Sequence, residues 1–210
     1  LSRRQAALIG AGSAICGAAA VMATLPVLEA GAARAAEVRR KASAALATVV
    51  LFGTLAMLLY PPLFPLLKAA PGQFGLFVGA TVHEVAQVVA IGSTIGGEVA
   101  GNAVIAKMIR VMLLVPFLLL LGVSLRRADG ADGASTPLPI PWFALVFVAM
   151  AGVNSLQILP PALVDALRLT GMLLLTAAMA SLGIDTRLSR MRQAGPRPLI
   201  LGAALFVHLI

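Results

Sequence analysis

Long runs without charge constrain this chain more than any other feature of its sequence. Residues 42–67 contain no Asp, Glu, Lys or Arg and are rich in Leu, Val and Met. About 20 such residues cross the hydrocarbon core of a bilayer as one helix. Only 11% of the 210 residues are charged, whereas soluble domains carry roughly 25%. The sequence therefore predicts an integral membrane protein and argues against a soluble enzyme, a disordered tail and a nucleic-acid-binding protein.

The same reasoning divides the chain into regular spans and interrupted apolar segments. We expect regular spans at about 42–67, 103–125, 140–160 and 162–184, and a partial span at 198–210. The glycines of residues 5–28 and the polar interruptions of residues 73–97 predict two discontinuous or re-entrant segments. The predicted fold is one all-α membrane domain, a polytopic bundle of transmembrane helices. Because the sequence starts at Leu1 and stops in an apolar run at Ile210, we expect a fragment of a longer transporter.

The basic residues predict an orientation in the membrane. The net charge is +8, and ten of the 16 Lys and Arg residues lie in short clusters between apolar segments, at residues 34–41, 126–127 and 187–197. Because basic loops stay in the cytoplasm, all three clusters should lie on that side. Residues 73–97 would then enter and leave from the outer face, and residues 5–28 from the cytoplasmic face.

A weak internal repeat supports this arrangement. An offset of 67 residues pairs Gly12 with Gly79, Cys16 with His83, and Arg40 with Lys107. Each copy combines a broken segment with a regular span, and the predicted orientations of the two copies are opposite. Inverted repeats with paired broken helices are typical of secondary transporters, whose substrate sites lie where the breaks meet.

Three polar side chains converge in the second broken segment. On a helix, Gln87 neighbours both His83 and Glu84, which precede it by four and three residues. Ionisable residues at membrane depth are costly and predict a functional site, and pairing with backbone or a neighbouring helix is the open alternative. A zinc protease would carry a second His where Gln87 stands, so we expect no metal. The spacing also assembles no Ser-His-Asp set, so we expect no enzyme.

The first broken segment offers small residues instead, at Gly12, Ser13, Cys16 and Gly17. Such residues let helices pack closely. Alternatively, the glycines free backbone N–H groups at a half-helix N-terminus, where the dipole favours an anion.

Two basic residues, Lys107 and Arg110, are three apart and share a face at the start of the span 103–125. They either snorkel to the membrane interface, or neutralise an anion or Glu84 inside the bundle.

Several strings of this sequence resemble the YeiH-type family of bacterial multi-pass inner-membrane proteins. They lie at residues 10–21, 51–54, 81–90, 107–112, 141–143, 154–155 and 178–183. The string His-Glu-Val-Ala-Gln at residues 83–87 is specific, and nearly the whole chain is covered. The resemblance implies a secondary carrier of the bacterial inner membrane that exports sulfate or a related small anion. It supplies no binding residues, so the candidate site rests on the physical argument.

We therefore expect the two breaks to meet near the midplane and to hold an oxyanion on half-helix N-termini. His83 and Glu84 would gate transport or couple it to protons. The alternative is a structural or regulatory membrane subunit that transports nothing. The expected partners are a small inorganic or organic anion and the lipid bilayer, with a homo-oligomer left open and no cofactor.

Overall fold

The computed structural model describes residues 2–29, 35–128, 142–185 and 195–210. These residues are helical and contain no strand, which confirms the predicted all-α class. The α-helices are α1 (Arg3–Ala11), α2 (Ala18–Glu29), α3 (Ala35–Leu67), α4 (Pro71–Thr81), α5 (Val85–Ile95), α6 (Gly97–Met112), α7 (Leu114–Ala128), α8 (Trp142–Ser155), α9 (Pro161–Asp185) and α10 (Pro196–Leu209). Arg34 and most of the basic cluster at residues 187–197 lie outside the described residues.

The first broken segment comprises α1, a π-helical turn at Gly12–Cys16 and α2. The side chain of Ser2 caps α1 by accepting a hydrogen bond from the backbone N–H of Gln5. The path is interrupted at Gly17, whose φ of 68° lies in the left-handed region that residues with a Cβ rarely adopt. The glycine thus turns the backbone where α2 starts.

The second broken segment comprises α4 and α5. Pro71 occupies the first turn of α4, where its missing N–H costs no hydrogen bond. The helix ends at Thr81, and the backbone is extended at Val82 and again at Glu84, which precedes the start of α5. This segment therefore breaks through three non-helical residues, not through a single glycine.

Within the described ranges, two helical stretches are long and apolar enough to cross a membrane, at Glu37–Leu67 and Gly97–Ser124. The first continues as one helix through Pro61, Pro62 and Pro65. Proline removes a backbone donor but keeps a φ that fits a helix, so adjacent turns can carry the helix onwards. The second stretch joins α6 to α7 across Leu113.

The tightest packing in the described residues is between α4 and α6. A Cβ built on Gly79 would lie 2.2 Å from the carbonyl oxygen of Ala103, and one on Gly75 would lie 2.7 Å from that of Val99. Glycine at both positions lets the two backbones approach closely, as in many membrane helix pairs. This contact holds α6 along the second broken segment and places its basic residues at the breaks.

Candidate functional site

The N-terminal ends of α2 and α5 meet at one carboxylate, that of Glu84. Its Oε1 accepts a hydrogen bond from the backbone N–H of Ala18, the first residue of α2, at 3.2 Å. The same side chain accepts from the backbone N–H of Gln87 in the first turn of α5. Helix N-termini carry unpaired donors and about half a positive charge each. The carboxylate of Glu84 therefore compensates the partial positive charges of two helix N-termini.

Gln87 completes a capping box with Glu84. Its Oε1 accepts from the backbone N–H of Glu84 at 3.3 Å, while Glu84 caps α5 in return. The Gln87 amide lies against Gly53 of α3, where a built Cβ would lie 2.0 Å from Oε1. Gly53 therefore leaves the space that the amide needs.

Gly17 leaves the matching space for Glu84. A Cβ built on Gly17 would lie 2.2 Å from Cγ of Glu84 and 3.0 Å from its Oε1. The two residues are 67 positions apart, which is the offset of the sequence repeat, and so are the first residues of α2 and α5, Ala18 and Val85. Equivalent positions of the two broken segments thus lie against each other. We call this point the crossing.

The C-terminal ends of the half-helices are occupied by Lys107 of α6. Its side chain is fully buried, and Nζ donates to the carbonyl oxygens of Ile15 at 3.0 Å, Val82 at 2.7 Å and His83 at 2.6 Å. An ammonium group has three donors, so all of them are used. Helix C-termini leave unpaired carbonyls and a partial negative charge, which this cation compensates.

Arg110 lies one turn further along α6 and also donates hydrogen bonds to backbone carbonyls of both broken segments. Its Nε and Nη2 donate to Ala14 at 3.0 Å and Ser13 at 2.8 Å, in the first broken segment. Its Nη1 donates to Ala80 at 2.6 Å and Val82 at 3.1 Å, in the second. Lys107 and Arg110 together therefore tie the two breaks into one unit.

Three buried side chains near the breaks keep polar atoms without a hydrogen-bond partner. They are Ser13 through Oγ, His83 through both ring nitrogens and Gln87 through Nε2. Each of the three side chains is at most 1% exposed. The ring of His83 stacks on Phe206 of α10, with centroids 6.0 Å apart. Buried polar groups are normally paired, so unpaired ones at a helix break indicate a place for water or a polar ligand.

A cavity of about 360 Å³ reaches Gln87 from the side of α9. Apart from Gln87, Ser93 and Thr176, its lining is apolar, and it includes Met57 of α3 and Met172 of α9. The cavity therefore offers space next to the crossing, but the donors for an oxyanion lie at the crossing itself.

The structure corrects the predicted role of the first segment's small residues. Gly12 and Ser13 lie at the C-terminal end of a half-helix, and the N–H of Gly12 is bonded within the helix. This end presents carbonyls, which attract Arg110, so it suits a cation and not the predicted anion. Cys16 is buried in an apolar cluster with Ala11 and Leu114. Gly17 alone of the four borders an N-terminal end.

The structure bears on snorkelling and on an ion pair with Glu84 as roles of the basic pair, and neutralisation of an anion stays a prediction. Lys107 does not snorkel, since it is fully buried, and among the described residues no ion pair joins Lys107 or Arg110 to Glu84. Their donors go to backbone carbonyls instead. In contrast, His83, Glu84 and Gln87 do lie together, although the break leaves the first two outside the helix that the spacing assumed.

Sequence reasoning missed the Ala18 donor, the space at Gly53 and the ring of Phe206. One signal was available, since Glu84 and Gln87 have the spacing of a capping box, which marks a helix start. The contact between His83 and Phe206 of α10 has no signal in the local sequence, because the two residues are far apart along the chain. Among the described residues, no group of three or more His, Cys, Asp or Glu could hold a metal ion.

Comparison with known proteins gives consistent matches. The family model described as conserved hypothetical protein 698 matches residues 1–202. A UPF0324 membrane protein of Pseudomonas aeruginosa is 52% identical over this whole chain and 60% of its own length. The UPF0324 inner membrane proteins YeiH of Salmonella typhi and Escherichia coli are 47% and 46% identical, each over 59% of their length. The chain thus spans about 60% of the length of these curated relatives. No solved structure matches the chain.

Proposed function

The chain belongs to the UPF0324 family of inner-membrane proteins, and from this premise we propose that it forms the substrate-binding part of a multi-pass secondary transporter. Its cargo is sulfate or a related small anion, and its direction is export. The sulfate assignment comes from the resemblance to YeiH-type proteins, and the physical argument below supports only the anion class.

One observation carries the proposal: like ends of two broken helices meet at the crossing. The N-terminal ends of α2 and α5 face Glu84, and the C-terminal ends of the preceding half-helices face Lys107. Broken helices are costly inside a membrane unless their ends are used. Secondary transporters use such paired ends to bind substrates and ions near the midplane.

The unpaired polar atoms favour an anion over a cation. Nε2 of Gln87 is a donor only, and the imidazole of His83 can donate. An oxyanion accepts hydrogen bonds from such groups, whereas Ca²⁺ and Mg²⁺ require oxygen ligands. The basic side chains cannot serve as the main ligands, because backbone carbonyls occupy their donors.

The test is uptake of radiolabelled sulfate into proteoliposomes that contain the full-length natural protein, with phosphate, chloride and acetate as competitors. We expect saturable flux that Gln87→Leu weakens, since this change removes a buried donor at the crossing. Gln73→Leu is the matched control, because Gln73 is exposed on α4. Absence of flux for every anion, from protein that elutes as a folded species, would contradict the proposal.

A structural or regulatory membrane subunit is the second candidate, and the basic pair favours it. Lys107 and Arg110 direct their hydrogen bonds to backbone, which is what a purely architectural crossing requires. In that case Gln87→Leu would lower the temperature of unfolding without changing a flux, because there would be none to change.

A further inference from the structure

Glu84 occupies the position that the proposed function gives to the substrate. We propose that its carboxylate is a built-in substitute for the transported anion, and that the anion binds by replacing it between the N-termini of α2 and α5. This inference rests on the proposed function. It adds that Glu84 occupies the anion site in the absence of substrate and leaves the site when the anion binds.

The first argument is geometric. A carboxylate presents oxygens to hydrogen-bond donors much as a sulfate or phosphate does, and here it accepts from the backbone N–H groups of Ala18 and Gln87. These two donors belong to helices of 12 and 11 residues, whose N-terminal ends favour negative charge. An incoming oxyanion would find the same donors, so the two anions compete.

The second argument comes from the donors that Glu84 leaves unused. Nε2 of Gln87 is without a partner, although the oxygen of the same amide is bonded at the break. The imidazole of the adjacent His83 is also unpaired. A tetrahedral oxyanion has more acceptor oxygens than a carboxylate. After it accepts from the two backbone donors, it keeps acceptor oxygens for these side-chain donors.

The third argument is that Glu84 reaches α2 only through a narrow contact. Its Cγ lies where a Cβ of Gly17 would stand, so the side chain passes directly over the glycine. Its bond to Ala18 is 3.2 Å long, at the long end for a charged acceptor. The bond from the backbone N–H of Glu84 to Oε1 of Gln87 does not use the carboxylate, so this half of the capping box of α5 can persist when the Glu84 side chain moves away.

The experiment is equilibrium binding of radiolabelled sulfate to the purified full-length protein, compared with its Glu84→Gln variant. Glutamine keeps the size and a hydrogen-bonding oxygen but carries no charge, so it competes less well for the two helix ends. A site whose competent state is populated at roughly 1–10% gains about ten- to a hundredfold in apparent affinity when the competitor is removed. We expect the dissociation constant of Glu84→Gln to fall by that factor.

Glu98→Gln is the matched control, because Glu98 is an exposed acid in the first turn of α6 and its substitution removes the same charge. Its dissociation constant should equal that of the wild type. An unchanged or weakened affinity in Glu84→Gln, or an equal gain in Glu98→Gln, would overturn the inference.

Glu84→Asp covers the case in which Glu84→Gln does not fold. The shorter acid keeps the charge and the cap of α5 but withdraws from Ala18, so we expect tighter sulfate binding by a smaller factor, and wild-type affinity would refute the inference. The two proposals fail separately. If the wild type shows saturable flux but the variants bind sulfate no more tightly, only the proposed competition by Glu84 is refuted. If the variants bind sulfate more tightly but no flux is seen, only the proposed transport function is refuted.

Discussion

The two broken segments have the same plan but contribute different chemistry. The first supplies backbone to the crossing, through the carbonyls of Ser13, Ala14 and Ile15 and the N–H of Ala18. The second copy, with its long helix α6, supplies the charged side chains Glu84, Lys107 and Arg110. The difference shows that two repeats can both contribute helix ends to one site while the compensating charges come from only one of them.

The largest effect on stability should come from Lys107, a basic residue that contacts the crossing while its equivalent in the first copy does not. Lys107→Met removes a donor from three buried carbonyls, of which only that of Val82 keeps a second donor in Arg110, and removing one partner of a buried charge network costs about 3–5 kcal/mol. Arg40, its equivalent in the repeat, is exposed, so Arg40→Met should change stability by less than about 0.5 kcal/mol. Thermal unfolding in detergent would measure both. Equal losses would mean that the two copies are not as unlike as their contacts indicate.

A second contrast concerns the paired glycines Gly79 and Gly12. A Cβ at Gly79 would meet the backbone of Ala103 at 2.2 Å, whereas one at Gly12 would meet the side chains of Val49 and Val21 at 2.7 and 2.8 Å. A backbone cannot move aside as a methyl group can. We expect Gly79→Ala to cost about 1–3 kcal/mol, and Gly12→Ala distinctly less. A larger loss for Gly12→Ala in the same unfolding assay would show that the first segment is the more tightly packed one.

The smallest change in stability should be at His83, with a clear effect on transport. No hydrogen bond is lost in His83→Leu, because both ring nitrogens are unpaired, so stability should change by less than about 1.5 kcal/mol. Sulfate flux should fall if the imidazole contacts the anion. His208→Leu, at an exposed position on α10, is the control and should leave flux unchanged. Normal flux in His83→Leu would assign His83 to packing against Phe206.

Local signals in the sequence predicted the breaks, but not what fills them. The glycines around Gly12 and Gly17 and the polar run at His83 and Glu84 disfavour a continuous apolar helix, so both interruptions could be placed. Which end of a half-helix a residue borders depends on a shift of only a few positions. For this reason the anion site predicted at Gly12 and Ser13 was wrong, since both residues lie on the carbonyl side of the break.

The fate of Lys107 could not be predicted because its partners are distant in sequence. Ile15 lies 92 residues before it, and the carbonyls of Val82 and His83 are available only because α4 ends at Thr81. From the sequence, burial, snorkelling and pairing of a lysine can be compared only by their usual free-energy costs. The sequence pattern does not show that two helix ends will surround one ammonium group.

The contact between Gly17 and Glu84 has a consequence for how such a chain can arise by duplication. Residues at equivalent positions that touch each other lie on the axis relating the two copies, where a side chain and its own image would fill the same volume. Two glutamates there would overlap, and two glycines would leave both helix starts uncompensated. The two positions must therefore hold different residues if one carboxylate is to lie between the two helix starts.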